Sequence, residues 1–268
     1  MGGPGGDLRG DLPGAAAGLV DRLASSARIL GWAEGIHVRA EYLAARDAVV
    51  RHLADRLVAV AAETRAERAV AADRYIRGEG TDRLDADAVG SVWTWSPTPL
   101  LQNATLLRTL RAHNASRAGA PVRFYGLETH VGDHRDLAAR DAAQYESLRR
   151  VAERHPDGLI LLFEQTGHVD PGIPGSLGSH VAQGELGVYR TVGALWRAGD
   201  PTVHFPLGDY EQLSARLDGA RSRLLPMPGG TLLAGPEQVP DIAGSPFDAA
   251  LYAPALSPAA HFVGDAAT

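Results

Sequence analysis

Leu30-Gly31-Trp32-Ala33-Glu34-Gly35-Ile36-His37 decides how this chain reads: a short apolar run enters a small-residue turn that presents a carboxylate and an imidazole three residues apart. A strand that ends on an acidic side chain and a glycine displays its tip in the crevice at the carboxyl edge of an α/β sheet, where ligands normally bind. The pattern returns downstream. Residues 57–62 form an apolar run that ends at Glu63, and residues 65–76 follow with helical spacing. Two successive units of strand, acidic tip and helix favour a parallel sheet. Residues 122–127 supply a third run, ending in Glu128. Residues 159–163 supply a fourth, ending in Glu164 and followed by Gln165, Gly167 and His168. Polar side chains at the carboxyl end of each run argue for one shared site.

Outward from these strands, helical spacing covers residues 15–26, 39–56, 100–113 and 136–154, with residues 27–33 as the first strand. Residues 78–99 form a long connection that holds Trp93-Thr94-Trp95. The last third is expected to contain a strand at 187–195, a helix at 209–221 and a strand at 247–252, joined by Pro- and Gly-rich segments. The expected fold class is α/β, a three-layer, mostly parallel sheet with helices on both faces. Residues 1–13 read as a flexible N-terminal arm and residues 14–263 as a single α/β domain of catalytic type.

The 268 residues are 45% hydrophobic and 22% charged, enough apolar material for a sizeable core. A net charge of -6, with basic residues scattered along the helices, argues against a nucleic-acid partner. All 26 basic residues are arginine, so Schiff-base and P-loop lysine chemistry are excluded. The absence of cysteine removes disulfides, thiolate metal sites and cysteine nucleophiles. No apolar run approaches the roughly 18 residues of a membrane span, and the N-terminus lacks the features of a signal peptide, so the expected location is the cytoplasm.

Glu34, His37, Glu63 and His168 are the candidate catalytic residues, because each follows a strand and each is a type that moves protons or binds metal. A neutral imidazole near its ordinary pKa of about 6.5 takes a proton from water if a carboxylate fixes its tautomer. Each residue also has a plainer reading. His37 could be a half-buried histidine bonded to backbone, Glu63 a carboxylate favoured by a helix N-terminus, and His168 part of a surface loop. Arg46, nine residues past His37 on the following helix, reads as part of a solvated face or as an ion pair. Trp93 and Trp95 pack on a sheet edge or floor a pocket for an apolar ligand, and Glu128 and Gln165 complete the binding set. No serine elbow of the Gly-x-Ser-x-Gly type is present, and neither Gly78-Glu79-Gly80 nor Gly229-Gly230 has phosphate-loop spacing. Two histidines and two or three carboxylates would suit a divalent ion, the main competitor to a metal-free site.

Taken in order, these blocks resemble the erythromycin esterase family, which also includes proteins assigned to succinoglycan biosynthesis. Leu30 through His37 resembles the family's first strand and its Gly-Glu-x-x-His motif, and Glu63 falls where members carry a glutamate ahead of an Asp/Asn-x-Tyr block, here Asp73-Arg74-Tyr75. Trp93-Thr94-Trp95, Leu110-Arg111-Ala112-His113-Asn114 and Val122-Arg123-Phe124-Tyr125-Gly126 resemble further blocks. Gly167-His168-Val169, Gly178-Ser179-His180 and Pro246-Phe247-Asp248-Ala249 resemble the closing ones. The resemblance spans roughly residues 27–252. It implies a general-base role for His37, assisted by Glu34, on a water that opens an ester without a metal or other cofactor. Glu63, Arg46 and His168 match further active-site positions. Two departures stand out. Gln165 and Thr166 replace the first histidine and the asparagine of the family's His-Asn-x-His, so a group that titrates becomes a neutral amide. A long helical insertion after the Phe-Tyr-Gly strand is replaced by a short loop between Glu128 and Arg140, which implies a more open cleft. The expected substrate is accordingly a small or natural-product metabolite bearing an ester or lactone. Non-hydrolytic elimination, cyclisation or epimerisation in secondary metabolism and an inactive ligand-binding module are the alternatives. A homodimer in which a second subunit covers the cleft is a further expectation.

Overall fold

Six parallel strands alternate with helices in the computed structural model, which describes residues 11–80, 82–93, 98–130, 132–133, 135–200 and 208–263, without the side chain of residue 209. The first ten residues of the expected arm, and Trp95, lie outside the described residues. In chain order the elements are α1 (Gly14–Ser26), β1 (Ile29–Ala33), α2 (Ala40–Leu53), β2 (Leu57–Arg65), α3 (Ala66–Ile76), α4 (Ala86–Gly90), α5 (Leu101–Ser116), β3 (Arg123–Glu128), α6 (Leu137–Arg154) and β4 (Leu159–Glu164). They continue with α7 (Thr166–Val169), α8 (Leu177–Gln183), β5 (Tyr189–Trp196), α9 (Glu211–Gly219), β6 (Leu225–Pro226), β7 (Leu232–Ala234) and β8 (Ala249–Ala253).

The strands form one eight-stranded sheet in the order β3-β2-β4-β1-β5-β8-β7-β6, antiparallel only at β7 and β6. Along each central strand the side chains alternate between two cores. Leu30, Trp32, Val60, Leu161 and Phe163 join the core beneath α1, α2, α3 and α5, while Ile29, Ala59, Ala61, Ile160 and Leu162 join the core beneath α6 and α8. This is the α/β arrangement with helices on both faces. The two crossovers that step toward β3 run over the first face, and those that return, through α6 and then α7 and α8, run over the second. A constant crossover hand demands that change of face. The chain therefore leaves β1 over one face and β4 over the other, which opens a crevice at their carboxyl ends.

Some elements differ from the sequence expectation. Glu63 lies inside β2 and not after it, because β2 continues through Thr64 and Arg65 past a register shift against β3. The short helix α4 interrupts the long connection, capped by the Asp85 side chain, which accepts from Ala88 N at 2.8 Å. The Pro- and Gly-rich segment after α9 contains β6 and β7, runs too short for alternation to show. No helix among the described residues is long and apolar enough to cross a membrane.

Candidate active site

Three neighbouring strands, β2, β4 and β1, bring Glu63, Glu164 and Glu34 to one edge of the sheet. The turn after β1 is fixed from several sides. Glu34 N donates to Glu164 O at 3.0 Å. Gly35 adopts φ +59, and a Cβ there would come within 2.7 Å of the Tyr42 ring, so this position needs glycine. Val38 also has a positive φ, 64°, a costly conformation for a β-branched residue. The C-terminal segment holds it there: Ala259 N donates to Val38 O at 2.8 Å and Ala40 N to Ser257 O at 3.0 Å. Strain enforced by surrounding structure is common where a side chain must be aimed. The side chain aimed here is His37.

The His37 ring sits between two carboxylates. Nδ1 lies 3.4 Å from Glu34 Oε2, and Nε2 lies 3.0 Å from Glu63 Oε2. One ring face stacks on Trp93, with centroids 4.5 Å apart and planes at 27°. Behind Glu34, the buried Arg46 donates to Glu34 Oε1 at 2.9 Å, to Asp47 Oδ1 at 3.1 Å and to Asn103 Oδ1 at 3.1 Å. On the other side Arg140, from the first turns of α6, pairs with both Glu63 and Glu128. Gln144 Nε2 donates to Glu128 Oε2 at 3.3 Å. His168 Nδ1 faces Asp141 Oδ1 at 2.6 Å.

Charge follows from these contacts. Burial alone would push the His37 imidazole down, but Glu63 and Glu34 outweigh it and hold its pKa up at about 9, against an ordinary 6.5. The sequence reading expected a base near its ordinary pKa with one carboxylate partner; with two, the resting ring is an imidazolium at neutral pH. Burial would raise Glu63 and Glu34 as well. Instead His37, His168 and Arg140 hold Glu63 well below the usual carboxylate range, and Arg46 and His37 hold Glu34 low. Burial lifts Asp47 to about 6 in spite of Arg46. Glu164 goes the other way, pushed far up by burial and by Glu63.

A cleft of about 480 Å³ opens over this group, a size suited to a small-molecule ligand. Of the residues singled out from sequence, His37, Glu63, His168, Gln165 and Trp93 line it. Glu34 stands directly behind His37, Arg46 behind Glu34, and Glu128 behind Arg140. The sequence reading missed Arg140, Asp141 and Asn103 as members of the group, and took Glu164 as a strand tip without giving it a role. Glu164 carried a signal: it shares the alternation of Ile160 and Leu162, which places a carboxyl on a core-facing position. Leu137 and Ile173, two of the most exposed large apolar side chains, stand at the rim. Among the described residues, no group of three or more histidine or carboxylate side chains is arranged to hold a metal ion.

No family model matches the chain, and no curated protein does. Solved structures do. A protein from Bacillus cereus superposes with a TM-score of 0.64 at 14% identity, covering 91% of this chain and 92% of its own. A mutant of the erythromycin esterase EreC, in its open conformation, gives 0.63 at 13% identity, covering 94% of this chain and 97% of its own. A succinoglycan biosynthesis protein gives 0.63 at 12% identity, covering 92% and 93%. The chain thus shares its fold with an erythromycin esterase and a succinoglycan biosynthesis protein, the two kinds of protein to which its motifs bear resemblance.

Proposed function

We propose that this chain is an esterase-like hydrolase that uses water to open an ester or lactone of a small or natural-product metabolite. The observation that carries the reading is the bracketing of His37 between Glu34 and Glu63 at the floor of an open cleft. In this scheme the neutral form of His37 takes a proton from the attacking water and returns it to the leaving alcohol, while Glu34 orients the ring through Nδ1. Arg140 and His168 line the same cleft and would stabilise the negative charge that develops on the carbonyl oxygen. Arg46 and Asn103 keep the Glu34 carboxylate in place and act through it. The apolar rim at Leu137 and Ile173 suits a substrate with a greasy body.

The test is turnover of a panel of esters and lactones in water labelled with heavy oxygen, with the wild type beside His37→Ala and Glu34→Gln. Label in the released acid, lost with His37→Ala, supports the proposal; equal rates for all three proteins overturn it. One observation favours a second reading. An imidazolium at neutral pH is a ready proton donor, which suits a non-hydrolytic elimination or cyclisation. Product formed without solvent oxygen would select that reading.

A further inference from the structure

Around the last residue of β4, hydrogen-bond acceptors outnumber donors. Glu164 is 0% exposed, and neither of its carboxyl oxygens has a hydrogen-bond partner. Its backbone N–H and C=O are part of the sheet edge, but the side chain points with Ile160 and Leu162 toward α6. The groups that face it are Glu63 from β2, Arg140 and Asp141 from α6, and Tyr189 from β5. Glu63 follows Ala62, which is in register with Phe163, so the two carboxyl groups leave adjacent strands side by side. Little donor capacity is left for Glu164. Arg140 is engaged by Glu63 and Glu128, and the Tyr189 hydroxyl donates to Val169 O at 2.8 Å. Gln144 Oε1 is another buried oxygen without a donor in the same region.

An ionised carboxylate in that position is disfavoured, since neither oxygen accepts a hydrogen bond and the residue is sealed from solvent. A protonated carboxyl turns one acceptor into a donor and supplies what the cluster lacks. Two carboxyl groups at one site rarely ionise together, and one of them then holds the proton.

We propose that Glu164 is kept as the neutral acid and shares its proton with the Glu63 carboxylate, forming a carboxyl pair that carries one negative charge between its two members. Glu164 is a positioning residue in this arrangement: it acts on His37 through Glu63. While the proton rests on Glu164, the charge sits on Glu63 and the imidazolium of His37 is held. When the proton crosses to Glu63, the charge withdraws to Glu164, one strand further from His37, and the imidazolium loses its nearest counter-ion. One proton moves and none is gained or lost by the pair. The first statement, that the acid is neutral, stands without any reaction; the effect on turnover rests on the hydrolase reading above.

Infrared spectroscopy of the full chain at neutral pH tests the first statement. The carbonyl stretch of a neutral carboxylic acid, shifted in heavy water, is expected in the wild type and absent from Glu164→Gln. A wild type without that band overturns the proposal, and this arm needs no variant to fold. The sharing is tested by following the His37 ring resonance against pH. In Glu164→Gln the amide cannot take the charge, so Glu63 keeps it and the His37 midpoint rises by about half a pH unit or more. An unchanged midpoint overturns the sharing. With an ester substrate in hand, the same variant is expected to lower kcat about threefold or more with little change in KM and to displace the alkaline limb of the profile. If the wild type hydrolyses no ester, the hydrolase reading fails while the infrared and titration arms still decide this one.

Discussion

Two clefts flank α6, and they are nearly the same size: about 480 Å³ beside its first turns and about 460 Å³ beside its last. The second is built on the open edge of β3 and is lined by Asp73, Arg77, Arg123, Arg150 and Arg154 among others. Its polar groups are settled. Asp73 accepts from Arg123 at 2.9 and 2.7 Å, from Phe124 N at 2.9 Å and from Arg77 at 3.0 Å, and none of the described residues lining that cleft has a buried side-chain atom without a partner. Burial would raise Asp73, but Arg123 and the Phe124 N–H hold it below the ordinary range. In the first cleft the contacts conflict. His37 is held up at about 9, Glu63 is held low, and Glu164 is forced far up within the same few side chains. Volume does not separate the two clefts; the balance of donors and acceptors does. Groups driven apart in proton affinity are the mark of acid-base work, whereas a carboxylate with every lone pair taken is a structural rivet.

The largest effect expected from this contrast is on turnover. His37→Ala should lower kcat/KM per folded molecule for any ester the protein hydrolyses by about 10² to 10⁴-fold, the usual range for a positioned acid or base. A loss smaller than about threefold would place His37 outside the chemistry. Asp73→Ala should behave in the opposite way. It strands the Arg123 guanidinium and the Phe124 N–H, so chemical denaturation should show a loss of about 2–3 kcal/mol, while activity per folded molecule stays near wild type. Unaltered stability in Asp73→Ala, or abolished activity in its folded fraction, would erase the distinction between the clefts.

A smaller and more diagnostic effect is the pH dependence of stability. His37 has a folded pKa raised from 6.5 to about 9, so its contribution is fully present below 6.5 and is lost as pH rises through about 9. Glu34 and Glu63 have folded pKa values lowered from 4.5, so theirs is present above 4.5 and is lost as pH falls. The network therefore stabilises most between 4.5 and 6.5. Urea midpoints for wild type and His37→Asn should differ most in that window and converge above about pH 9.5. A gap that widens toward alkaline pH would contradict the assigned charges.

How much of this was legible in the sequence depends on whether the deciding interaction is local. The strands β1 to β4 announce themselves as short apolar runs, and their acidic tips mark the carboxyl edge, so the parallel sheet and the meeting of His37 with Glu34 and Glu63 could be read directly. Glu164 was visible as a residue but not as a buried one, because burial comes from α6 crossing over it from a distant part of the chain. Arg140 and Asp141 look like two ordinary charges on an amphipathic helix until the fold turns them toward β2 and α8. The raised proton affinity of His37 was missed for a related reason: it needs two carboxylates at once, one local and one from the next unit. The positive φ of Val38 has no sequence signature at all, since a β-branched residue is the last choice for that conformation and only the segment at 257–259 holds it.

The smallest effect concerns the aromatic ring stacked on His37 in the first cleft. The Trp93 ring lies 4.5 Å from the His37 ring at 27°, a stack in which the indole face meets an imidazolium. Such a contact is worth about 0.5–1 kcal/mol where it is partly exposed, and it favours the charged ring over the neutral one. Since about 1.4 kcal/mol corresponds to one pH unit, Trp93→Leu should lower the His37 midpoint by roughly 0.4–0.7 unit. The change would act in the opposite sense to that expected of Glu164→Gln. It should also move the alkaline rise of activity to lower pH by the same amount, because the neutral base becomes available sooner. The ring resonances of His37 in wild type and Trp93→Leu measure the shift directly. A midpoint that stays put or climbs would mean that Trp93 merely covers the ring, and that the two carboxylates alone set its charge.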